Sequence, residues 1–180
     1  ILGLAGQSGS GKTTVARCLT RLEAADRGAV IELQGRQVVG ASGNALREIR
    51  RDLQMIFQDP YTSLNPRMTI GQAILEAGRV HGRTGAEDPV SFVSSQLERV
   101  GLSPSSADRK PAELSGGQRQ RVAIARSLAV GPLALIADEA VSALDVSVQA
   151  QLLNLFLDLR DELGLSILFI SHQLAVLAEV

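Results

Sequence analysis

Near its beginning the chain reads Gly6-Gln7-Ser8-Gly9-Ser10-Gly11-Lys12-Thr13, directly after the apolar stretch 1–5. A helical pattern follows from Thr14 onward, so the order predicted is strand, glycine-rich loop, helix. Glycines allow successive backbone N–H groups to turn towards a polyphosphate, and the helix adds its positive N-terminal end. Lys12 would then reach the β- and γ-phosphates and the Thr13 hydroxyl would hold Mg²⁺. We therefore expect a nucleoside triphosphate site here rather than a chance glycine-rich turn.

A second motif lies about a hundred residues further on, where residues 114–121 read LSGGQRQR. Ser115 is a favoured helix N-cap, and Gly116 and Gly117 leave the backbone open to close approach. A mostly apolar helix follows. An exposed helix start with small residues suits a second anion site. Alone, the pattern fits an ordinary capped helix equally well; the phosphate loop upstream favours the anion site.

Together the two motifs resemble those of the ATP-binding cassette (ABC) ATPases, and the resemblance covers nearly the whole chain in the family's motif order. It implies a P-loop NTPase fold of the α/β class, with a RecA-like core of mostly parallel sheet flanked by helices and an inserted helical subdomain. It also implies a dimer in which the signature residues complete the ATP site of the opposite subunit. The nucleotide-binding residues that the resemblance indicates are Gly6, Gln7, Ser8, Gly9, Ser10, Gly11, Lys12, Thr13, Thr14, Ser115, Gly116, Gly117, Gln118 and Asp145.

An apolar run at 133–139 ends in two acids, Asp138 and Glu139. Such a run suits a strand buried on both faces of a parallel sheet, and the carboxyl ends of such strands are where α/β sheets place ligands. Asp138 resembles the Walker B aspartate of the family, which supports Mg²⁺. Glu139 resembles the catalytic glutamate that polarises the attacking water. Taken alone, the run also fits a strand that ends in a solvated acidic turn.

Three further residues fit the same resemblance. Gln58, at the end of an apolar run, resembles the Q-loop glutamine that contacts Mg²⁺ or the attacking water. His172, at the end of the apolar run 166–171, resembles the switch histidine that touches the γ-phosphate. Asp145 closes a stretch like the D-loop, which crosses the dimer interface, although it fits a helix N-cap equally well. The other histidine, His81, lies in a polar stretch and is interpreted as structural.

Composition sets broad limits. The chain has 180 residues, a net charge of −1 and one cysteine. This charge gives no reason to expect binding of nucleic acid or of an anionic membrane surface, so contact with a membrane would come only through partners. No apolar stretch of spanning length lacks charge or proline. Cys18 shares a helical stripe with Val15, Leu19 and Leu22, which predicts a core position.

The pattern along the chain predicts one ATPase domain. We expect a nucleotide-binding core at 1–70 and 130–180, with a helical signature subdomain at 71–129 between them. Within the core, the predicted helices cover about 13–23, 45–51 and 146–163, the last followed by a glycine stop at Gly164. Strands are expected at 29–33, up to Phe57, and at 166–171.

Two stretches make the resemblance more specific. Residues 57–69 (FQDPYTSLNPRMT) and 138–151 look like the corresponding regions of ATPases that serve oligopeptide, dipeptide and nickel importers. It implies ATP hydrolysis with Mg²⁺, import of a peptide or nickel, a second identical or sister ATPase subunit, and a peripheral position at the cytoplasmic face of the cell membrane. Transmembrane permease subunits would dock on the stretch Tyr61–Gly82, which is otherwise an ordinary loop.

Two other classes stay open. Soluble ABC-type ATPases of DNA repair or chromosomes usually carry a long coiled coil between phosphate loop and signature, and the interval here has no sustained heptads. Ribosome-associated types usually carry two cassettes and a charged linker. A nucleotide-binding module without hydrolysis would be favoured if Glu139 were dispensable.

The chain begins inside a strand, and the family's upstream aromatic residue that stacks on adenine is not in it, so we expect a fragment with weakened nucleotide affinity.

Overall fold

The computed structural model describes residues 1–59, 63–85 and 87–180. Besides the strands and α-helices given next, the chain forms two short 3₁₀ helices, Pro104–Asp108 and Pro111–Glu113. The strands and helices are, in chain order, β1 (Leu2–Ala5), α1 (Lys12–Leu19), β2 (Glu32–Leu33), β3 (Arg36–Gln37), α2 (Gly43–Asp52), β4 (Leu53–Ile56), α3 (Ile70–Val80), α4 (Pro89–Arg99), α5 (Gly116–Leu128), β5 (Ala134–Asp138), α6 (Val146–Leu163), β6 (Ser166–Ser171) and α7 (Leu174–Ala178).

The central sheet is parallel, with the strand order β1-β6-β5-β4. Its register aligns the carboxyl ends of the strands: Ala5 lies opposite Ser171, Asp138 opposite Ile170 and Ile56 opposite Ala137. The chain segments that follow these strands therefore all lie at the carboxyl-terminal end of the sheet, which we call its carboxyl edge. Because α/β folds bind ligands at this edge, the predicted phosphate loop, the acidic pair and the histidine are brought together.

Helix α6 covers one part of the sheet with the face that its sequence predicts. Its buried residues form the expected stripe, and Gly164 ends the helix at φ 64°, in the left-handed region that glycine adopts without strain. Phe156 of α6 packs edge-to-face on Phe169 of β6, with ring centroids 5.4 Å apart. The stripe consists of Leu152, Leu153, Leu155, Phe156 and Leu159.

Three helices, α3, α4 and α5, occupy the middle of the chain and pack on one another. Each begins with a side-chain cap. Thr69 and Gln72 form a capping box at α3, Asp88 accepts from the Ser91 N–H at α4, and Ser115 with Gln118 forms a capping box at α5. The three helices lie between residues 70 and 128, and the subdomain boundary expected at 71–129 stays a prediction.

Helix α1 is shorter than predicted and buries a different face. It ends at Leu19 because Thr20 caps it through a hydrogen bond from its hydroxyl to the Ala16 carbonyl, and Arg21 then adopts φ 57°. The core position predicted for Cys18 is wrong, since this side chain is only half-buried. Two other members of that stripe, Val15 and Leu22, are exposed. Ala16 is the buried apolar residue of α1, because a small side chain allows the helix to approach β5 closely, and Leu19 of the predicted stripe packs partly buried against the same cluster.

Two strand predictions also needed correction. The strand expected at 29–33 is reduced to β2, which pairs with β3 in a two-residue antiparallel hairpin. The strand expected to reach Phe57 ends at Ile56. Gln34 and Gly35, at φ 49° and 74°, form the turn of the hairpin, and the Val38 N–H donates to the Ile31 carbonyl at 2.8 Å just beyond the paired residues.

A buried carboxylate joins α2 to the sheet. Asp52 is 3% exposed and accepts hydrogen bonds from Arg36 at 2.5 Å and Arg51 at 2.7 Å. Its backbone carbonyl accepts from the Leu133 N–H at 2.8 Å, next to β5. Burial acts to raise the pKa of Asp52, but the hydrogen bonds and charges of both guanidinium groups outweigh it, so the pKa lies below its ordinary value.

None of the helices in the described ranges combines the length and the apolar character that a membrane crossing requires.

Candidate nucleotide site

The glycine-rich loop between β1 and α1 holds its lysine in a folded-back position. Gly9 and Gly11 adopt φ 80° and 91°, which a residue with a side chain rarely reaches. Lys12 is 7% exposed, and its Nζ donates hydrogen bonds to the carbonyl oxygens of Gly6 and Gln7, each at 2.8 Å. The ammonium charge thus lies inside the loop with neutral acceptors as its hydrogen-bond partners. An anion of high charge would complement it.

Two of the three residues predicted to hold a metal, Thr13 and Asp138, lie beside this loop. Asp138 is 4% exposed at the end of β5, and Thr13 is near enough to its carboxylate to act on its pKa. Burial raises the pKa of Asp138 above its ordinary value and the charge of Glu139 adds to this, while Thr13, Arg17 and Lys12 act against it.

One oxygen of that carboxylate lacks a partner. Oδ1 of Asp138 is buried and has no hydrogen-bond donor among the described residues. A buried carboxylate oxygen without a donor is costly unless a cation or water meets it. Together with the Thr13 hydroxyl it is the kind of oxygen that Mg²⁺ prefers, so the residues present fit this ion.

The carboxylate after β5 contacts the histidine after β6. Nδ1 of His172 lies 3.2 Å from Oε1 of Glu139, a distance at which an N–H can donate to the carboxylate. Glu139 adopts φ 48°, unusual for a residue with a side chain, and its N–H donates to the Ile170 carbonyl at 3.0 Å. The left-handed turn directs the chain away from the strand, and such strain often occurs at functional sites.

Gln58 approaches the same turn from β4. Its Nε2 lies 3.5 Å from the Ser142 hydroxyl, which in turn donates to the Glu139 carbonyl at 2.9 Å. Ser142 is the link between these two predicted site residues, and the sequence analysis assigned it no role of its own. Of the predicted Q-loop stretch 57–69, residues 60–62 lie outside the described residues, and with them the first residue of the predicted docking stretch, Tyr61.

The signature motif begins α5 as predicted. The Ser115 hydroxyl accepts from the Gln118 N–H at 3.3 Å, while the Gln118 side chain accepts from the Ser115 N–H at 3.0 Å. Asp145 is the N-cap of α6 and accepts from the Val148 N–H at 3.0 Å, so the capping interpretation of this residue is confirmed. A role of Asp145 at a subunit interface stays a prediction.

A cavity that the sequence analysis did not identify lies behind the Q-loop residues. Its volume is about 240 Å³, and it is lined by residues of β4, α3 and α5. His81, interpreted above as structural in a polar stretch, is half-buried in its wall; burial lowers the pKa of this histidine, and the nearby cations of Arg47, Arg51 and Arg83 act in the same direction. The lining residues are far apart in sequence, so no local pattern indicates the cavity.

The sequence profile described as "ABC transporter" matches residues 1–142. The chain belongs to the ABC transporter family. Its α/β fold with a parallel sheet flanked by helices is that of the family's P-loop ATP-binding cassettes, as expected from the sequence.

Curated ABC relatives agree with this assignment. The glutathione import ATP-binding protein GsiA of Escherichia coli (strain K12) is 52% identical to the chain over 179 residues. The protein of the same name from Salmonella paratyphi A (strain ATCC 9150 / SARB42) is 51% identical. The match covers 99% of this chain but only 29% of either relative, so the chain spans less than a third of the length of these proteins.

Solved ABC cassettes share the fold. A structure titled as the dimeric post-hydrolysis state of the ATP-binding cassette MJ0796, bound to ADP and Pi, superposes with a TM-score of 0.83 at 29% identity, over 98% of this chain and 76% of the other. A second structure, described as dimeric MJ0796, a bacterial ABC transporter cassette, gives a TM-score of 0.85 at 27% identity, over 99% and 77%.

Proposed function

We propose that this chain is the ATP-binding and ATP-hydrolysing unit of an ABC importer. The observation that carries the proposal is the meeting of Lys12, Asp138, Glu139 and His172 at one edge of the parallel sheet, with the last two 3.2 Å apart. Membership of the ABC transporter family, and relatives that are named import ATP-binding proteins, support it. ATP and Mg²⁺ are the ligands that the site would take.

The loop 6–14 would bind the phosphates. Its backbone N–H groups and Lys12 would meet the phosphates, with Lys12 exchanging its carbonyl partners for phosphate oxygens. Thr13, Asp138 and Gln58 would hold Mg²⁺, which neutralises phosphate charge when bound. The unpartnered Oδ1 of Asp138 supports this set of ligands.

Glu139 would orient the attacking water and accept its proton. A general base must lie within hydrogen-bond reach of the water, and the strained turn after β5 projects Glu139 from the sheet edge. With a proton on both ring nitrogens, His172 would donate from Nδ1 to the carboxylate and from Nε2 to the γ-phosphate. Gln58 would sense the same water through the contact with Ser142.

The working unit would be a dimer with two nucleotides between the subunits. The signature loop 115–118 would meet the phosphates bound by the partner through the N–H groups of Gly116 and Gly117, which the capping box of Ser115 and Gln118 does not use. Asp145 would lie at the interface. Both MJ0796 structures are dimeric, which supports the arrangement proposed for this chain.

The cavity between β4, α3 and α5 would receive a segment of the permease. It contains Ser63, Ala77 and Val80 from the described part of the predicted docking stretch, together with Phe57 from the Q-loop. A cavity of about 240 Å³ with a mixed apolar and polar lining suits one or two anchoring side chains of a partner helix. The protein would thus lie peripherally at the cytoplasmic face of the membrane, held there by its permease.

The transported solute would be of the peptide class. The relatives at 51–52% identity are named for glutathione, which is itself a tripeptide. This chain would contribute one ATPase domain to that dimer, with its core at 1–70 and 130–180 and a helical subdomain at 71–129.

Hydrolysis by the Glu139→Gln variant tests the proposal. The variant should keep ATP binding, because the phosphate loop is unchanged, and should lose ATP hydrolysis by at least about a hundredfold, because the base is gone. Glu162→Gln, at an exposed position of α6, is the matched control and should hydrolyse ATP like the unmodified chain. Equal hydrolysis by the Glu139 variant and the control would contradict the proposed role.

A further inference from the structure

The two glycines that begin α5 lie against the loop and first turn of α6 in the same chain. A Cβ atom built on Gly117 would lie 2.5 Å from Cγ1 of Val148, and one built on Gly116 would lie 3.3 Å from Cδ2 of Leu144. Cβ atoms essentially never come within 3.0 Å of another heavy atom. The side chain of Val148 therefore occupies the space that any side chain at position 117 would need.

Val148 has little freedom to give way. It is β-branched and lies in the first turn of a helix, where valine keeps almost a single rotamer. Its backbone N–H is fixed by the Asp145 carboxylate at 3.0 Å, and its side chain packs against the main core. Leu144 also packs on that core, but its longer side chain can shift at 3.3 Å. The contact between Gly117 and Val148 is thus the rigid one.

The same short segment is also tied to the hydrolysis site. The Ser142 hydroxyl donates to the Glu139 carbonyl at 2.9 Å, and Gln149 of α6 donates to the Val141 carbonyl at 2.9 Å. These bonds hold the loop 139–145 to the start of α6. A continuous set of contacts therefore leads from Glu139 through this loop to Val148 and on to the signature glycine.

We propose that Val148 is a positioning residue that fixes the signature loop 115–118 against α6. This contact holds the signature loop in a fixed position relative to the loop 139–145. This inference rests on the proposed function, in which both loops meet the partner's nucleotide. It gives Gly117 a role inside its own chain, beyond close approach of its backbone to a phosphate.

A double-mutant cycle with two readouts tests the proposal. Gly117→Ala, Val148→Ala and their combination are made in a Glu139→Gln background, and both Tm and ATP-dependent dimerisation are measured. Gly117→Ala alone should lower the Tm by about 5 °C through overpacking and weaken dimerisation at least tenfold. Adding Val148→Ala removes the obstructing methyl groups, and should bring both values close to those of Val148→Ala alone.

Val146→Ala is the matched control for the rescue. Val146 lies in the same turn of α6 but is 81% exposed, so removing its methyl groups creates no space beside Gly117. Combined with Gly117→Ala it should restore neither Tm nor dimerisation. Rescue by this control as well would overturn the proposal.

Two other results would overturn it. If Gly117→Ala leaves the Tm unchanged, the contact does not constrain the chain. If the double variant recovers its Tm but dimerises as poorly as Gly117→Ala, position 117 acts only through approach to the nucleotide. Failure of Glu139→Gln alone to dimerise would instead contradict the proposed function, and the positioning role with it. The Tm values of the double-mutant cycle would still decide whether Gly117 and Val148 are in contact.

Discussion

Lys12 is one of two lysines in the chain, and it is buried whereas Lys110 is exposed. A buried ammonium group is costly unless its hydrogens are satisfied. The carbonyls of Gly6 and Gln7 accept two of them, which keeps the side chain ordered inside the loop before any anion arrives. This arrangement reduces the entropy that phosphate binding would otherwise cost.

Replacing Lys12 therefore gives a direct test of phosphate binding. Lys12→Met keeps the length and apolar stem of the side chain and removes its charge, so we expect ATP affinity to fall by about 10–100-fold, the value of one or two charge-assisted hydrogen bonds. Lys110→Met removes the same charge from an exposed position and should bind ATP like the unmodified chain. Affinities are measured by calorimetry with MgATP. Equal affinities for the two variants would contradict the assignment of the loop.

Among the secondary-structure elements, α6 could be predicted from the sequence and α1 could not be predicted fully. In α6 the apolar stripe, the cap at Asp145 and the stop at Gly164 all point to the same bounds, and the structure confirms them. In α1 the apolar stripe through Cys18 predicted the wrong face, because the approach of the helix to β5 is made by Ala16. Periodicity indicates an amphipathic helix but does not say which neighbour each side meets.

The position of helix α3 beside the cavity leads to a prediction about where the permease docks. Val80 lines the cavity behind the Q-loop and is 51% exposed, whereas Val90 is 73% exposed near the start of α4 and is not among the residues that line it. In the protein assembled with its permease, we expect Val80→Cys to form a thiol cross-link to the permease and Val90→Cys not to. Cys18→Ala removes the native thiol from both variants. Stronger cross-linking from position 90 would contradict docking at this cavity.

Across the whole molecule, the predicted site comes together because the four parallel strands end at one edge. Each motif could be found locally, since Lys12, Asp138 and His172 follow apolar runs or lie in a recognisable loop. The contacts between motifs could not be predicted, because Ser142 meets Gln58 and Val148 meets Gly117 only after the chain has folded. The same holds for the cavity, which joins three distant elements.

The ion-pair cluster at Asp52 predicts how stability depends on pH. The pKa of this carboxyl is lower in the folded chain than in the unfolded one, so its contribution is complete above about pH 3.9 and is lost as the pH falls through the folded value. Asp52→Asn should lower the free energy of unfolding by about 1–3 kcal/mol at pH 6. The difference from the unmodified chain should shrink as the pH approaches 2.

Thermal unfolding between pH 6 and pH 2 measures this difference. Asp161→Asn is the control, because Asp161 also pairs with an arginine, Arg160, but its side chain is 66% exposed, where ion pairs contribute little. It should leave the Tm nearly unchanged across this range. A constant gap between Asp52→Asn and the unmodified chain down to pH 2 would contradict the assignment.

ATP-dependent dimerisation of Glu139→Gln, followed by light scattering without Mg²⁺, tests the central claim most directly. If each chain supplies the phosphate loop of one nucleotide site and the signature of the other, slow hydrolysis should trap the dimer. We expect twice the monomer mass of 19.0 kDa with ATP and the monomer mass with ADP. A chain that stays monomeric at saturating ATP, or that dimerises equally with ADP, would contradict a homodimer held together by ATP.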